Sequence, residues 1–313
     1  MTAVAPFYPV RACWICQSAA LMPVHELIFE LSAYAIQDPQ LAAYTGERLP
    51  LCRCARCGFA QPGSMPALPH YFDRMYDQRW SADWIQSEFE SGDKDYIFQS
   101  ILANLARRLP AGRRRLLDVG AHAGRFVWLA SAAGWAADGL ELNPQTASYA
   151  AARTGASIRQ MNVQDVDAAT AAYDGLTITD VLEHIPDPVA VLTRAAALLA
   201  SGGWVAVKVP CGPSQLLKER LRGRLFPRYR PTVADNLVHV SHFSAGSLRR
   251  ALERAGFESI TIEPGAPELH GGRGVSAFAS RTGRRMVHRL ACLVPGGVHL
   301  PITFNLQAYA RRP

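Results

Sequence analysis

Short apolar runs alternate with helical spacings along most of this chain. Leu116-Leu117-Asp118-Val119 is an apolar run that ends at Gly120, and Phe126-Val127-Trp128-Leu129-Ala130 follows Gly124 at helical spacing. This pattern predicts a buried strand, a tight glycine turn and a helix. Ala136–Leu140 reads as a second strand, closed by Glu141-Leu142-Asn143-Pro144, where Asn143-Pro144 opens a helix. Residues 156–166 read as a short third strand and loop. The fourth strand ends at Asp180-Val181-Leu182-Glu183-His184, and Asp187 caps a helix with Pro188 at its first position. That helix, Val189–Leu199, stops at Ser201-Gly202-Gly203, and Trp204–Pro210 is the fifth strand. A helix over Ser247–Ala255 and a sixth strand over Phe257–Ile262 follow. Val275–Ser280 and Ile302–Ala310 compete for the seventh strand, the second the better candidate, with 281–293 helical and basic between them. The alternation predicts an α/β fold.

Upstream the pattern changes. Ile97, Ile101, Leu102, Leu105 and Leu109 fall at helical spacing, so 71–109 reads as helical, and Pro110-Ala111-Gly112 ends the run. Residues 61–70, with Pro62, Gly63, Pro66 and Pro69, read as a linker. The division expected is a small module over 1–70 and a larger domain over 71–313, with 71–109 as a helical cover and 214–246 as a substrate-side insertion.

Cysteine usage gives the small module its chemistry. Five of the seven cysteines lie in the first 57 residues, as Cys13-Trp14-Ile15-Cys16 and Cys54-Ala55-Arg56-Cys57 with Cys52 just ahead. Two such knuckles present four thiolates, Cys13, Cys16, Cys54 and Cys57, to a tetrahedral zinc ion. Four protein ligands leave no open position, so the zinc expected here is structural. Buried thiols or disulfides are the other readings. The first 12 residues lack the charged start and long apolar core of a signal peptide, and no apolar run reaches membrane-spanning length. A cytoplasmic location is therefore expected, which argues against disulfides. At 49% hydrophobic and 19% charged, the 313 residues have ample material for a core. The net charge of +7 hints at anionic partners without specifying nucleic acid.

Glu141 lies twenty-one residues past Gly120, at the tip of the second strand, where a Rossmann-type fold holds ribose hydroxyls. Taken together, LLDVGAHAGRF, LELNP, TDVLEHIPDP, SGGWVAVKVP and HFSAGSLRRALERAGFE closely resemble the motifs of class I S-adenosylmethionine-dependent methyltransferases, over about residues 95–313. The resemblance implies a Rossmann-like seven-stranded domain with S-adenosylmethionine as cofactor. It implies a cofactor site from Asp118, Gly120, Ala121, His122, Gly124, Glu141, Leu142 and Asp180, with Asn162 or Asp165 and Val163 at the adenine edge. One position departs from the family: His122 stands where glycine is usual, and its Cβ narrows the approach to the cofactor. The cysteine segment and the Tyr-rich stretch after it resemble the zinc-binding N-terminal segment of some bacterial sugar and natural-product methyltransferases. Tyr71 and Tyr76 would then reach cofactor or substrate, or simply pack.

The acceptor side is read from titratable residues. His184, His239 and His242 are candidates to take a proton from an acceptor hydroxyl or amine, with Glu183 orienting or charge-stabilising an imidazole. Residues 214–230 interleave Lys218, Arg220, Arg222, Arg224, Arg228 and Arg230 with leucines. Arg228 and Arg230 are candidates for substrate phosphates, while the segment as a whole suits an anionic membrane or a solvated helix face. The expected activity is methyl transfer to a small molecule: a sugar, glycoconjugate or secondary metabolite. An RNA methyltransferase with a zinc ribbon is the first alternative, against which Asp180-Val181-Leu182-Glu183 replaces the tetrad common in base-modifying enzymes. A non-catalytic interaction protein that kept the fold is the second.

Overall fold

The computed structural model describes residues 6–76, 81–168, 172–226, 229, 237–270 and 275–313. Its strands are β1 (Phe7–Pro9), β2 (Leu21–Ile28), β3 (Arg48–Cys54), β4 (Ala60–Pro62), β5 (Ser64–Pro66), β6 (Arg115–Val119), β7 (Ala136–Leu140), β8 (Ile158–Arg159), β9 (Tyr173–Thr179), β10 (Leu199–Pro210), β11 (Glu258–Pro264) and β12 (Asn305–Arg311). Its α-helices are α1 (Pro39–Ala42), α2 (Tyr71–Tyr76), α3 (Ala82–Glu90), α4 (Asp95–Arg108), α5 (Arg125–Ala132), α6 (Pro144–Thr154), α7 (Pro188–Leu198), α8 (Gly212–Leu225), α9 (Ala245–Arg254) and α10 (Val275–Leu293).

Seven strands form the main sheet in the order β8-β7-β6-β9-β10-β12-β11. The pairs among β8, β7, β6, β9 and β10 are parallel, and β12 runs antiparallel to both its neighbours. The order reverses between β6 and β9, so ligands are expected at the carboxyl ends of these strands. Local chemistry sets the helix starts there. Asn143 Oδ1 accepts from the Gln145 and Thr146 N–H groups at the start of α6, and Asp187 caps α7 through Ala190 N.

Two expectations are corrected. Residues 61–70 are not a bare linker: most of β4 and all of β5 lie there, and Gln61, Met65 and Leu68 are buried. Proline is tolerated because these are short strands, β5 pairing with β1 alone among the described residues. Val275–Ser280 is the first part of α10 rather than a strand, while Asn305–Arg311 supplies the seventh strand as favoured.

The N-terminal region is a three-stranded sheet, β2-β3-β4, beside the β1-β5 pair. Its core of Phe29, Tyr44, Leu51 and Tyr71 also takes in Leu237 and Val240 from far along the chain. Cys13, Ile15, Cys54 and Phe59 pack instead into the core of the large sheet. The two regions therefore share buried surface at both ends, and Ala60 exchanges backbone hydrogen bonds with His242.

Candidate active site

The loop after β6 is held by its own backbone. The Gly120 and Ala121 N–H groups donate to Leu140 O, at 2.9 and 2.8 Å. Gly120 has φ +78°, and an added Cβ would lie 2.4 Å from Val181 Cγ2, so only glycine fits. Gly124, φ +84°, lies against Ala150 and Thr154 and starts α5. His122 adopts a left-handed φ of +49°, and its ring and that of Trp84 of α3 meet edge to face, centroids 5.3 Å apart. Burial, then the charge of Lys94, brings His122 down to about 4, so the ring is neutral at neutral pH.

Glu141 ties this loop to the next. Its two carboxylate oxygens accept from His122 N at 2.8 Å and Asn143 N at 2.9 Å. Leu142 beside it is exposed. Asp118 lies deeper, 3% exposed, and accepts from Thr177 Oγ1 at 2.6 Å. Burial raises it to about 7, although the Thr177 bond opposes this. Asp118 is thus a brace beneath the loop, with almost no surface to offer a ligand. Val163 is buried, and Asn162 spends its side-chain oxygen on Gln164 N.

At the end of β9, Asp180 has φ +55° and forms ion pairs with Lys208 of β10 and with Lys94 at 3.1 Å. Burial opposes its ionisation, but Lys208 and Lys94 outweigh burial and hold it well below the usual carboxylate range. Burial likewise works against the charge on Lys94, yet Asp180 and Glu268 keep it above the ordinary lysine value.

Three residues beyond, Glu183, His184 and His239 converge, with donor atoms of all three within 4.8 Å of one another. The two rings meet edge to face, centroids 4.8 Å apart. His184 Nδ1 lies 2.6 Å from Val238 O. A carbonyl only accepts, so Nδ1 carries the proton and the basic lone pair is on Nε2. His239 Nδ1 lies 3.2 Å from the Gln215 side-chain amide of α8. Burial lowers His184, and burial followed by His184 holds His239 well below its ordinary value, so both are neutral proton acceptors. Glu183 is 2% exposed, and its Oε2 has no hydrogen-bond partner among the described residues. Burial, then Asp180, raises its carboxyl to about 8. His242 is not part of this cluster: it is 2% exposed and packed inside, with its backbone paired to Ala60.

The four cysteine sulfurs of the N-terminal knuckles also lie within 4.8 Å of one another, with Cys13–Cys57 and Cys16–Cys54 each at 3.5 Å. The contact with Cys57 draws the Cys13 thiol down to about 5, and the same contact, with burial, pushes Cys57 up. Cys52 stands apart, its thiol raised by burial.

Residues 93–262, more than half of the chain, match the model of a family described as a methyltransferase domain. The chain belongs to that family. This methyltransferase is 28% identical over 162 residues to a ubiquinone biosynthesis O-methyltransferase of Bordetella avium, spanning 48% of this chain and 67% of that one. It is 34% identical over 104 residues to the protein of the same name from Xanthomonas axonopodis pv. citri, spanning 31% and 43%. The fold is shared with Haemonchus contortus phosphoethanolamine N-methyltransferase 2, solved with S-adenosyl-L-methionine (TM-score 0.52, 15% identity, 81% of this chain and 63% of that chain). It is also shared with a Haloferax volcanii complex between the Trm112 methyltransferase activator and a putative methyltransferase (TM-score 0.51, 16% identity, 74% and 96%). The protein is thus a class I S-adenosylmethionine-dependent methyltransferase, and among its described residues no helix is long and apolar enough to cross a membrane.

The fold gathers Gly120, Ala121, His122, Gly124, Glu141, Leu142 and Asp180 along the carboxyl edge of the methyltransferase sheet, with Glu183, His184 and His239 beyond them. Tyr71 does not reach this edge: it is buried in the N-terminal core against Phe29 and Tyr44. Arg228 and Arg230 lie outside the described residues, as does the side chain of Tyr76. Sequence reasoning missed Lys94, Lys208, Gln215 and Trp84. Lys208 had a signal, since a lysine inside Val205-Ala206-Val207-Lys208-Val209 needs a buried counter-charge.

Proposed function

We propose that this methyltransferase acts on a hydroxyl of a small molecule and that a histidine of the Glu183–His184–His239 cluster takes the hydroxyl proton. The observation that carries the reading is that cluster: two neutral imidazoles and a neutral carboxyl, beside the carboxyl end of the strand next to β6. S-adenosylmethionine supplies the electrophilic methyl group. Glu141 holds the ribose hydroxyls, Leu142 flanks the adenine, and the Gly120–Gly124 loop allows the close approach. Trp84 and α3 close over His122 and keep water from that side. As the acceptor oxygen would form its bond to the methyl carbon, the methyl–sulfur bond would break with its electron pair kept on sulfur, S-adenosylhomocysteine would leave, and the hydroxyl proton would pass to His184 Nε2 or to His239. Positive charge on either ring favours the carboxylate of Glu183, so proton pick-up is offset within the cluster. Lys208 and Lys94 neutralise Asp180 and fix the turn that carries Glu183.

An oxygen acceptor agrees with the O-methyltransferase relatives. The sugar, glycoconjugate or secondary-metabolite class rests on the resemblance of the N-terminal segment to that of sugar and natural-product methyltransferases. The test is kinetic, on a panel of catechols, phenols and glycosides with radiolabelled methyl donor. His184→Ala or His239→Ala should lower turnover by about 10²–10⁴ and leave cofactor affinity intact. Normal turnover in both variants refutes a histidine base.

The four cysteines fit a structural zinc ion. Zinc–sulfur bonds of about 2.3 Å in a tetrahedron put sulfurs about 3.8 Å apart, close to the 3.5 Å found for two of the pairs. The site has no room for catalysis, since all four positions are sulfur.

A further inference from the structure

The net charge of this chain is concentrated on two helices. Helix α8 carries Lys218, Arg220, Arg222 and Arg224 against the single acid Glu219. Helix α10 carries Arg281, Arg284, Arg285 and Arg289 and no acid. Together they account for the whole +7, and the remainder of the chain is balanced. Both helices also expose apolar stripes. Leu217, Leu221 and Leu225 stand four residues apart on α8, and Phe278, Leu290 and Leu293 lie along one side of α10. Only Ala291 of α10 is buried.

The stretch between α10 and β12 lies against α8. Ser214 Oγ donates to Leu300 O, and Pro301 and Phe304 line one groove with Leu217, Leu221 and Leu225. Phe304 is itself exposed. We propose that α8, α10 and residues 300–304 form a face that docks on an anionic lipid bilayer. Apolar stripes beside rows of arginine are what an interfacial helix needs: the side chains enter the headgroup layer while the cations meet lipid phosphates. A second copy of the chain does not suit the face, because an isologous contact would press two strongly positive surfaces together. RNA uses the arginines but leaves the leucine stripes exposed to water.

The face adjoins the acceptor side. Helix α8 starts where β10 ends, and Gln215 in its first turn reaches His239. Docking would bring the active-site edge to an amphiphilic acceptor, an extension that rests on the proposed function; the docking itself does not.

The full chain should co-sediment with vesicles of phosphatidylcholine mixed with phosphatidylglycerol, weakly with phosphatidylcholine alone, and should be released by salt. Arg284→Glu/Arg285→Glu/Arg289→Glu should weaken binding at least tenfold. Leu290→Ser/Leu293→Ser should weaken it while keeping the salt dependence. Calorimetry with S-adenosylmethionine should be unchanged for both variants, which separates failure of docking from failure of the cofactor site. The proposal is overturned by any of three results: equal binding to neutral and anionic vesicles, no binding, or full binding by the triple variant. It is also overturned if these variants abolish a dimer, or if single-stranded RNA displaces the protein from vesicles.

Discussion

Removing the Glu141 carboxylate should weaken S-adenosylmethionine binding by about 100-fold. Each of its oxygens already accepts one backbone N–H, from His122 and from Asn143. A carboxylate oxygen has two acceptor positions, so one remains on each, matched to two vicinal ribose hydroxyls. Hydrogen bonds to a charged group contribute about 1.5–3 kcal/mol each, so the pair is worth about 3–6 kcal/mol at most. Glu141 is half-buried, and water recovers part of this, which leaves about 2.7 kcal/mol, or 100-fold in Kd. The loop also loses the bond from His122 N–H to this carboxylate, while its two backbone bonds to Leu140 remain, so the unfolding midpoint should fall only slightly. Glu141→Gln keeps one acceptor, and its amide opposes one of the two backbone donors, so most of the loss should persist. Titration calorimetry on Glu141→Ala and Glu141→Gln reads both effects. Turnover at saturating cofactor should change little, because a ribose bond is made equally in ground and transition states. An unchanged Kd in a folded Glu141→Ala variant would refute the placement of the ribose.

Lys208→Met should destabilise the fold by about 2–4 kcal/mol, less than a fully orphaned buried charge because Lys94 remains, and Asp180→Asn in the same chain should restore most of it in urea titrations. No loss in the single variant contradicts the ion-pair reading. The purified protein should hold one equivalent of zinc, and chelation should lower turnover more than cofactor affinity; metal-free protein of full activity rules this out. Because burial and then Asp180 raise Glu183 from about 4.5 to about 8, the folded state keeps a proton that the unfolded chain releases, so this group's stabilising contribution is lost as pH rises through that window. Glu183→Gln should therefore gain stability over the parent as pH climbs from about 4.5 to about 8, and parallel pH profiles of the unfolding midpoint would count against it.

The sheet was legible because its signals are local. A strand that ends in glycine, an acid at the next strand tip and Asp-Pro at a helix start each follow from a few neighbouring residues. Gly120 and Glu141 were placed at the ends of their strands that way, and the two C-x₂-C spacings brought the four cysteines together as one cluster. Tyr71 stayed open between packing and binding because its partners Phe29 and Tyr44 are far away in sequence, and tyrosine looks the same whether it packs or binds. The stretch 61–70 was misread because its prolines suggest a linker, while its strand pairing is with residues 7–9 and 51–53. Trp84 over His122 had no signal at all: nothing in either segment says that α3 returns to the loop.

The segment 237–243 ties the N-terminal module to the methyltransferase sheet. On one side, Leu237 and Val240 enter the module core, and His242 pairs with Ala60. On the other, the Val240 and Ser241 N–H groups both donate to Glu183 O, at 2.8 and 2.9 Å, and Ser241 Oγ donates to Ile185 O at 2.7 Å. Gly212 closes the third side: its N–H donates to Phe243 O, and a Cβ there would lie 2.9 Å from His242. His239 is carried at the start of this clamped segment, so its position depends on the module, on the loop after β9 and on the start of α8 together. The β6 loop and Glu141 have no such dependence, being tied to β7 and α6. A disturbance of the cysteine module should therefore reach the His239 ring before it reaches the ribose, which is why metal loss is expected to act on turnover first.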